Sequence, residues 1–517
     1  MQTDIVLYLP PPNPMVKKTL FLSLQALSPM HQATEVELIK KALKEGEEVW
    51  LMYCGAKLST CSFNPTHNLI GCAMCTSRAV HWAEKAGIPT ERLVKINRDL
   101  FSENFPLKFP ETMKALMNLC VGGVNIGRGA ASSTISILRE YNLNFAGRHR
   151  DLIELQLCNA LGAFRNYEAA LDQIQPDRVV LFNGRHSELW PMIGLCVQRG
   201  VDYATHERGG NNQLYEVFEK SLPHSIAARR KIMDETWESA PIDVRREAAL
   251  NWYRAKRRGT HTNDKNYLGK QSVGILPRGF DATKHNIIIF NSSEDEMQAI
   301  PEWKTPLFRQ QNEVIVRVLG TLAKRSDIHI YIRMHPNLIG VDNQQTKELY
   351  VLSQSNLTLL RPEDSVDTYA LLEAGDVVLT FASSAGVEAT FWGTPSILFG
   401  RAFYEGDDAV YQPGSFRALI ELLCTRSLAT KNRDNVLKYG YFVSHYGDEY
   451  EYAEVRSPAD VTILDERMER INAVTLLQLL LLFPQLLRWL ATHQIVLGTK
   501  LKPSQITKLY SHLRAES

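Results

Sequence analysis

Charge of one sign is what this sequence lacks: 58 Lys and Arg stand against 57 Asp and Glu, a formal net charge of +1. That balance removes any global electrostatic reason to expect nucleic acid or an anionic membrane surface as partner. Also missing is an uninterrupted apolar run long enough to span a bilayer. The most apolar stretch, 474–490, is broken by Gln478, Pro484, Gln485 and Arg488, and falls short of the roughly 20 residues a span requires. It reads as a pair of helices packed on the body, as an interfacial helix resting on a membrane, or as an oligomer contact. The N-terminus, MQTDIVLYLPPPNP, has no basic region followed by a long apolar one. A signal peptide is therefore not expected, and 5–9 reads as a first strand. The expected location is cytoplasmic, at most at the inner face of the membrane. Internal repeats and low-complexity tracts are absent as well.

What is present is the pattern of an α/β protein. At 517 residues the chain is too long for one core, which points to two or more domains. Short apolar runs at 48–53, 93–96 and 178–182 alternate with helical patterns at 33–45, 77–86 and 151–173. Such alternation predicts a parallel sheet covered on both faces. The character changes over 242–285, which is polar and basic and reads as a helix followed by an exposed connection. A second series of strands follows at 286–290, 328–333, 358–360, 377–380 and 396–399. The expected organisation is a Rossmann-like domain over 1–255, a linker over 256–285, a second Rossmann-like domain over 286–440 and a helical extension over 441–517. Two doubly wound domains of this kind bind ligands in a cleft at the carboxyl ends of their strands.

The most informative segment is DVVLTFASSAGVEATFWGTPSILFG, 376–400. A β-branched run (377–380) leads into a small-residue turn, a short helix, a Gly-Thr-Pro turn and another strand. A helix beginning after Ser383 and Ser384 would aim its N–H groups and positive dipole end at an anion. Glu388, in its first turn, could accept hydrogen bonds from a ribose diol. Other polar clusters also follow predicted strands directly: Asn183 to Glu188, Ser292 to Glu296, and Arg333 to Asn337. Ser293 and Glu296 could equally cap a helix.

With NSSEDE at 291–296, RMHPN at 333–337 and the 376–400 block, the second half resembles the capsule polysaccharide biosynthesis family of glycosyltransferases. LFNGRHSELW at 181–190 and HERGG at 206–210 match weaker features of such proteins. The resemblance implies the GT-B architecture and transfer of a sugar from a nucleotide-activated donor to a glycan or lipid-linked acceptor. It implies donor contacts from Ser383, Ser384, Glu388, Ser293 and Glu296, with Arg333 and His335 at the leaving phosphate. Glu207 is the first choice of general base, with Arg208 orienting it or meeting an anionic substrate. His186 and Glu188 are second choices, while Asn183 and Arg185 would position donor or acceptor. No DxD metal motif stands out, so no cofactor is expected to be required for catalysis, and negative charge on the departing nucleotide must be met by Arg, His and a helix N-terminus. The alternatives are a sugar-nucleotide epimerase of the same architecture and a scaffold of a polysaccharide assembly complex that has lost catalysis.

Two features stand apart. Cys54, Cys61, Cys72 and Cys75 are spaced C-x6-C-x10-C-x2-C. Their crowding in a chain expected to be cytoplasmic suggests a structural zinc, an iron–sulfur cluster, or unliganded thiols lining a loop. The glycine-rich segment 122–129 lacks a clear preceding strand and the Lys-Ser/Thr pair of a P-loop. It reads as an acceptor-binding loop or as a flexible turn.

Overall fold

The computed structural model describes residues 16–260, 268–297 and 299–468, with the side chains of Leu69, Lys270 and Glu296 left out. The strand expected over 5–9 and the apolar stretch 474–490 both lie outside these residues.

The first domain is built on strands β1 (Lys18–Ser23), β2 (Glu48–Tyr53) and β3 (Leu93–Lys95), followed after the small hairpin β4 (Cys120–Val121) and β5 (Val124–Asn125) by β6 (Arg178–Phe182), β7 (Asp202–Arg208) and β8 (Leu214–Glu219). The second contains β9 (His285–Phe290), β10 (Ile328–Arg333), β11 (Leu357–Leu360), β12 (Val377–Thr380) and β13 (Ser396–Leu398). After it come β14 (Asp448–Glu449), β15 (Ala453–Ser457), β16 (Asp460–Ile463) and β17 (Glu466–Arg467).

The second sheet has the order β11-β10-β9-β12-β13 and is parallel throughout. β9 and β12 are buried along their whole length, as strands covered on both faces must be. Side chains alternate between two cores. Ile287, Ile289, Ile330 and Leu379 face one, and Ile288, Phe290, Tyr331 and Val378 face the other. The first sheet has the order β14-β8-β7-β6-β1-β2-β3. Its strands β1, β2, β3, β6 and β7 are parallel, and β8 and β14 add antiparallel at one edge. In both sheets the chain starts centrally, winds one way and then the other. Each therefore has a switch point where two carboxyl ends diverge and leave a crevice, between β1 and β6 in one and between β9 and β12 in the other.

Three features go beyond the sequence pattern. First, His206, Glu207 and Arg208 form the end of β7, where His206 pairs with β6 and all three pair with β8. The sequence concealed this because an edge-side hairpin carries polar residues that a buried parallel strand excludes. Second, the described part of the extension over 441–517 is not purely helical. After the helix Leu437–His445 come the four strands β14 to β17. Val455, Val461 and Ile463 pack into the first domain's core beside Val36 and Ile39 of the helix Pro29–Lys44, and buried Glu37 accepts the N–H groups of Glu451 and Tyr452. The chain thus returns from the second domain to brace the first. Third, the helix Ile242–Arg258 packs on the second domain, where Tyr253 stacks on Phe391 with ring centroids 4.0 Å apart and donates its hydroxyl to the Val436 carbonyl. The described connection after it is fastened down rather than hanging free: Ser272 N–H donates to the Ser365 carbonyl and Gly274 N–H to Asp367.

The glycine-rich segment 122–129 has a packing explanation. Gly122 and Gly123 form the tight turn of the β4–β5 hairpin at positive φ (55° and 82°). A Cβ on Gly127 would lie 1.8 Å from the Leu116 carbonyl oxygen. The hairpin and Gly127 thus have packing reasons of their own, while Arg128 of the same segment lines a cavity between the domains.

Candidate active site

The second domain's switch point holds a cavity of about 470 Å³, lined by residues that follow β9, β10 and β12 together with Tyr369, Glu388 and Trp303. Arg333, the last residue of β10, is only 3% exposed. One guanidinium nitrogen, Nη2, donates to the Asp364 carbonyl at 3.0 Å, while Nε and Nη1 are buried without a hydrogen-bond partner. Burial pulls its pKa down, opposed through space by Asp364 and Glu363, neither of which forms an ion pair with it. A buried cation left with two unsatisfied donors is costly unless an anion completes it. Beside it, His335 accepts the Asn337 N–H on Nδ1 at 3.1 Å, which leaves the proton of a neutral ring on Nε2. Its own backbone N–H is held by the Asn291 side chain at 2.7 Å. The hydroxyl of Ser292, also on the cavity wall, is buried and without a partner.

The 376–400 block folds as expected, with β12, a helix Ala385–Trp392 ended by Gly393 at φ 95°, and β13. Its details are more specific than the pattern suggested. Ser383 Oγ accepts the Ala385 N–H at 3.2 Å, so one amide of the first turn is already taken. Gly386 is small because a Cβ there would lie 2.6 Å from the Tyr404 hydroxyl, not because a ligand approaches it. Glu388 is 6% exposed; it accepts from the Tyr369 hydroxyl on one oxygen and from Ser384 Oγ, at 2.8 Å, on the other. Each carboxylate oxygen retains a lone pair for a further donor. Ser293 is committed elsewhere: it donates to Asp295 and accepts from Arg139, whose guanidinium also bonds Asp295 at 2.8 Å and the Asn337 carbonyl at 2.9 Å. Ser293 makes no side-chain cap to the 3-10 turn Glu294–Glu296. The side chain of Glu296 lies outside the described residues.

Arg139 ends the helix Gly127–Leu138 of the first domain. It therefore joins that helix to the loops at the carboxyl edge of the second sheet. Ser133 and Ser136 of the same helix line a cavity of about 490 Å³ at the first domain's own switch point. This second cavity is also walled by His31, Phe182, Asn183, Arg185, His186 and Glu207. Glu207 has a side chain 22% exposed, accepts from Asn183 Nδ2 at 2.9 Å and lies 3.8 Å from His31 Nε2. Asn183 reaches it from a positive φ of 54°, a turn that asparagine tolerates better than most residues. Burial lowers the pKa of His31, takes that of His186 far down and that of His206 down to about 3, so all three are neutral. Glu188 accepts from the Ser62 N–H at 2.8 Å and from the Ser62 hydroxyl on one oxygen, and it is not among the residues lining this cavity. It pins the loop after β2 and is a poor choice of base. Arg208 bonds its neighbour's carboxylate through its backbone N–H at 3.2 Å, and its guanidinium is not among the residues lining this cavity.

Cys54 and Cys61 sit in the loop after β2, and Cys72 and Cys75 on the helix Leu69–Ala86. Asn64 donates to Cys61 and Cys72, each at 3.3 Å. Burial raises the Cys61 thiol well above its usual range and the Cys75 thiol to about 12. Among the described residues no group of three or more His, Cys, Asp or Glu is placed to hold a metal ion.

Sequence reasoning did not single out Arg139, Tyr369 and Trp303. Arg139 gives no local signal, since its partners are more than 150 positions away. Trp303 lies in the connection between β9 and β10, outside any predicted element, and bridges the domains by donating Nε1 to the His224 carbonyl at 2.8 Å.

Two Rossmann-like domains, each with a crevice at its switch point and joined across a cleft, define a protein of GT-B architecture. Residues 303–416 match the family described as capsule polysaccharide biosynthesis protein. Among solved structures, the chain is similar to Thermosulfurimonas dismutans KpsC, beta Kdo 2,4 transferase, at 14% identity over 52% of this chain and 78% of that one, with a TM-score of 0.36. The beta Kdo 2,7 transferase of the same KpsC is 13% identical over 62% of this chain and 89% of that one, with a TM-score of 0.32. A UDP-GlcNAc 2-epimerase from Methanocaldococcus jannaschii is 10% identical over 82% and 98%, with a TM-score of 0.27. No curated protein matches the chain. Among the described residues no helix is long and apolar enough to cross a membrane.

Proposed function

We propose that this chain is a glycosyltransferase of surface polysaccharide synthesis. It takes a nucleotide-activated sugar in the second domain's crevice and passes the sugar to a glycan or lipid-linked acceptor held by the first. The observation that carries this reading is Arg333, a buried guanidinium with two unpartnered nitrogens in a cavity of about 470 Å³. Glycosyl transfer breaks the bond between the anomeric carbon and a phosphate oxygen, and negative charge grows on that oxygen. Arg333 and His335 Nε2–H supply donors for it. Glu388, aligned by Tyr369 and Ser384, takes the ribose hydroxyls. Glu207 accepts the proton of the attacking hydroxyl as the new glycosidic bond forms. The separate cavity of about 490 Å³ around Glu207 favours transfer over epimerisation, which needs no acceptor space.

Nucleotide screening by thermal denaturation (CMP, CDP, UDP, GDP) tests the donor site, because a ligand that binds only the native state raises its melting temperature. One of the four should do so; none doing so overturns the reading. Glycosyl transfer should proceed unchanged in excess EDTA, since the charge on the leaving phosphate is met by side chains. Glu388→Gln should weaken nucleotide binding about ten- to a hundredfold, the scale of a hydrogen bond to a charged acceptor. The deoxyribose analogue, already weaker for wild type, should bind the variant no worse than the ribonucleotide does. A persisting difference between the two nucleotides would remove Glu388 from the ribose.

A further inference from the structure

A third cavity, of about 1000 Å³, lies between the domains and is not used by the chemistry above. One wall comes from the first domain with Arg128, Tyr141 and Phe145, the other from the second with Trp303, Lys304 and Arg309. The four aromatic rings of this groove, Phe308 included, are all half-buried, each with part of its surface left to solvent. Four cations (Lys114, Arg128, Lys304 and Arg309) face two carboxylates, Glu111 and Glu313. Among the described residues none of the four cations has an ion-pair partner, and Arg128 has its Nε buried without a hydrogen-bond partner. In a chain whose overall charge is balanced, a surplus of cations over carboxylates on the walls of one groove favours anions there. Trp303 lines both this groove and the donor cavity, so the groove begins where the transferred sugar would sit.

We propose that this groove binds the elongating acceptor as an acidic, carboxylate-bearing oligosaccharide, with sugar rings stacked on the aromatic faces and carboxylates bound by Arg128, Lys304 and Arg309. The assignment rests on the glycosyltransferase reading for the groove's role, though its binding can be measured alone. Aromatic rings suit the apolar C–H faces of pyranoses, and guanidinium forks match carboxylates in plane. A volume about twice that of either crevice suits several sugar units rather than one.

The probe is a hexamer of galacturonic acid, titrated calorimetrically into the full chain, with maltohexaose as the neutral control. The acidic hexamer should bind, the neutral one at least tenfold more weakly, and added salt should weaken the former. Arg128→Gln should lower affinity for the acidic hexamer about tenfold or more, the worth of a charged hydrogen bond. Lys304→Gln, at an exposed position where folding is not at stake, should lower it severalfold. Neither variant should alter the melting-temperature shift given by the stabilising nucleotide. Equal binding of both hexamers, no binding of the acidic one, or charge variants that bind like wild type would overturn the proposal. So would tighter binding of a single-stranded oligonucleotide than of the acidic hexamer. Nucleotide stabilisation without hexamer binding would sink the groove and spare the donor site; hexamer binding without nucleotide stabilisation would do the reverse.

Discussion

Arg333→Met is expected to abolish nucleotide-dependent stabilisation and lower kcat/KM about 100- to 1,000-fold, the range seen when one donor to a developing oxyanion is removed. Without nucleotide, the same variant should melt no lower than wild type. The two outcomes separate a ligand site from a structural ion pair. Arg333 has a single backbone carbonyl as partner and two buried nitrogens with none. Keeping that cation desolvated costs free energy in the empty protein, and an isosteric apolar side chain removes the cost. A structural role would give the opposite result, a marked loss of melting temperature. Arg333→Lys should recover part of the binding but not all, because an ammonium supplies charge without the fork that can span two phosphate oxygens. A wild-type nucleotide shift in Arg333→Met would remove the residue from the donor site.

The legible and illegible parts of the chain divide along physical lines. The runs 48–53, 178–182, 328–333 and 377–380 match the strands end to end because central parallel strands concentrate large apolar and β-branched residues. The small-residue turn after 380 was legible for a related reason, since a strand feeding a helix leaves little room for side chains. Arg333, His335, Ser383, Ser384 and Glu388 were legible as one set because each stands within a few positions of such a strand. Partners distant in sequence were not. Tyr369 meets Glu388 and Arg139 meets Asp295 only through tertiary packing, which no local spacing encodes. The strands β7 and β8 were obscured by polar residues at an antiparallel edge, and β15 and β16 by their shortness. The role of glycine was legible only as smallness: in Gly386 the close neighbour is Tyr404 and in Gly127 it is a backbone carbonyl.

Glu207→Gln is expected to lower kcat about 100- to 10,000-fold, the usual contribution of a general base. Nucleotide stabilisation should stay at the wild-type level, because Glu207 lines the first domain's cavity and not the donor's. The amide preserves size and can still accept from Asn183, so a fall in kcat at unchanged melting temperature reports lost proton acceptance rather than lost packing. Among the neighbouring groups, Glu207 is the best placed for that role. His186 is buried and held neutral with a pKa far below its usual value, a weak base at any working pH. Glu188 is buried, holds the Ser62 N–H and hydroxyl, and does not line the cavity. Glu207 keeps part of its surface open to the cavity, is oriented by Asn183 on one oxygen, and has the neutral His31 at 3.8 Å from the other. Asn183→Ala should therefore act through the same residue, raising the acceptor KM and lowering kcat less than Glu207→Gln does. The double variant should be no worse than Glu207→Gln alone, since groups acting as a unit are not additive. Independent, multiplying losses in the double variant would place Asn183 on the substrate itself, and full transfer by Glu207→Gln would move the base elsewhere in the cleft.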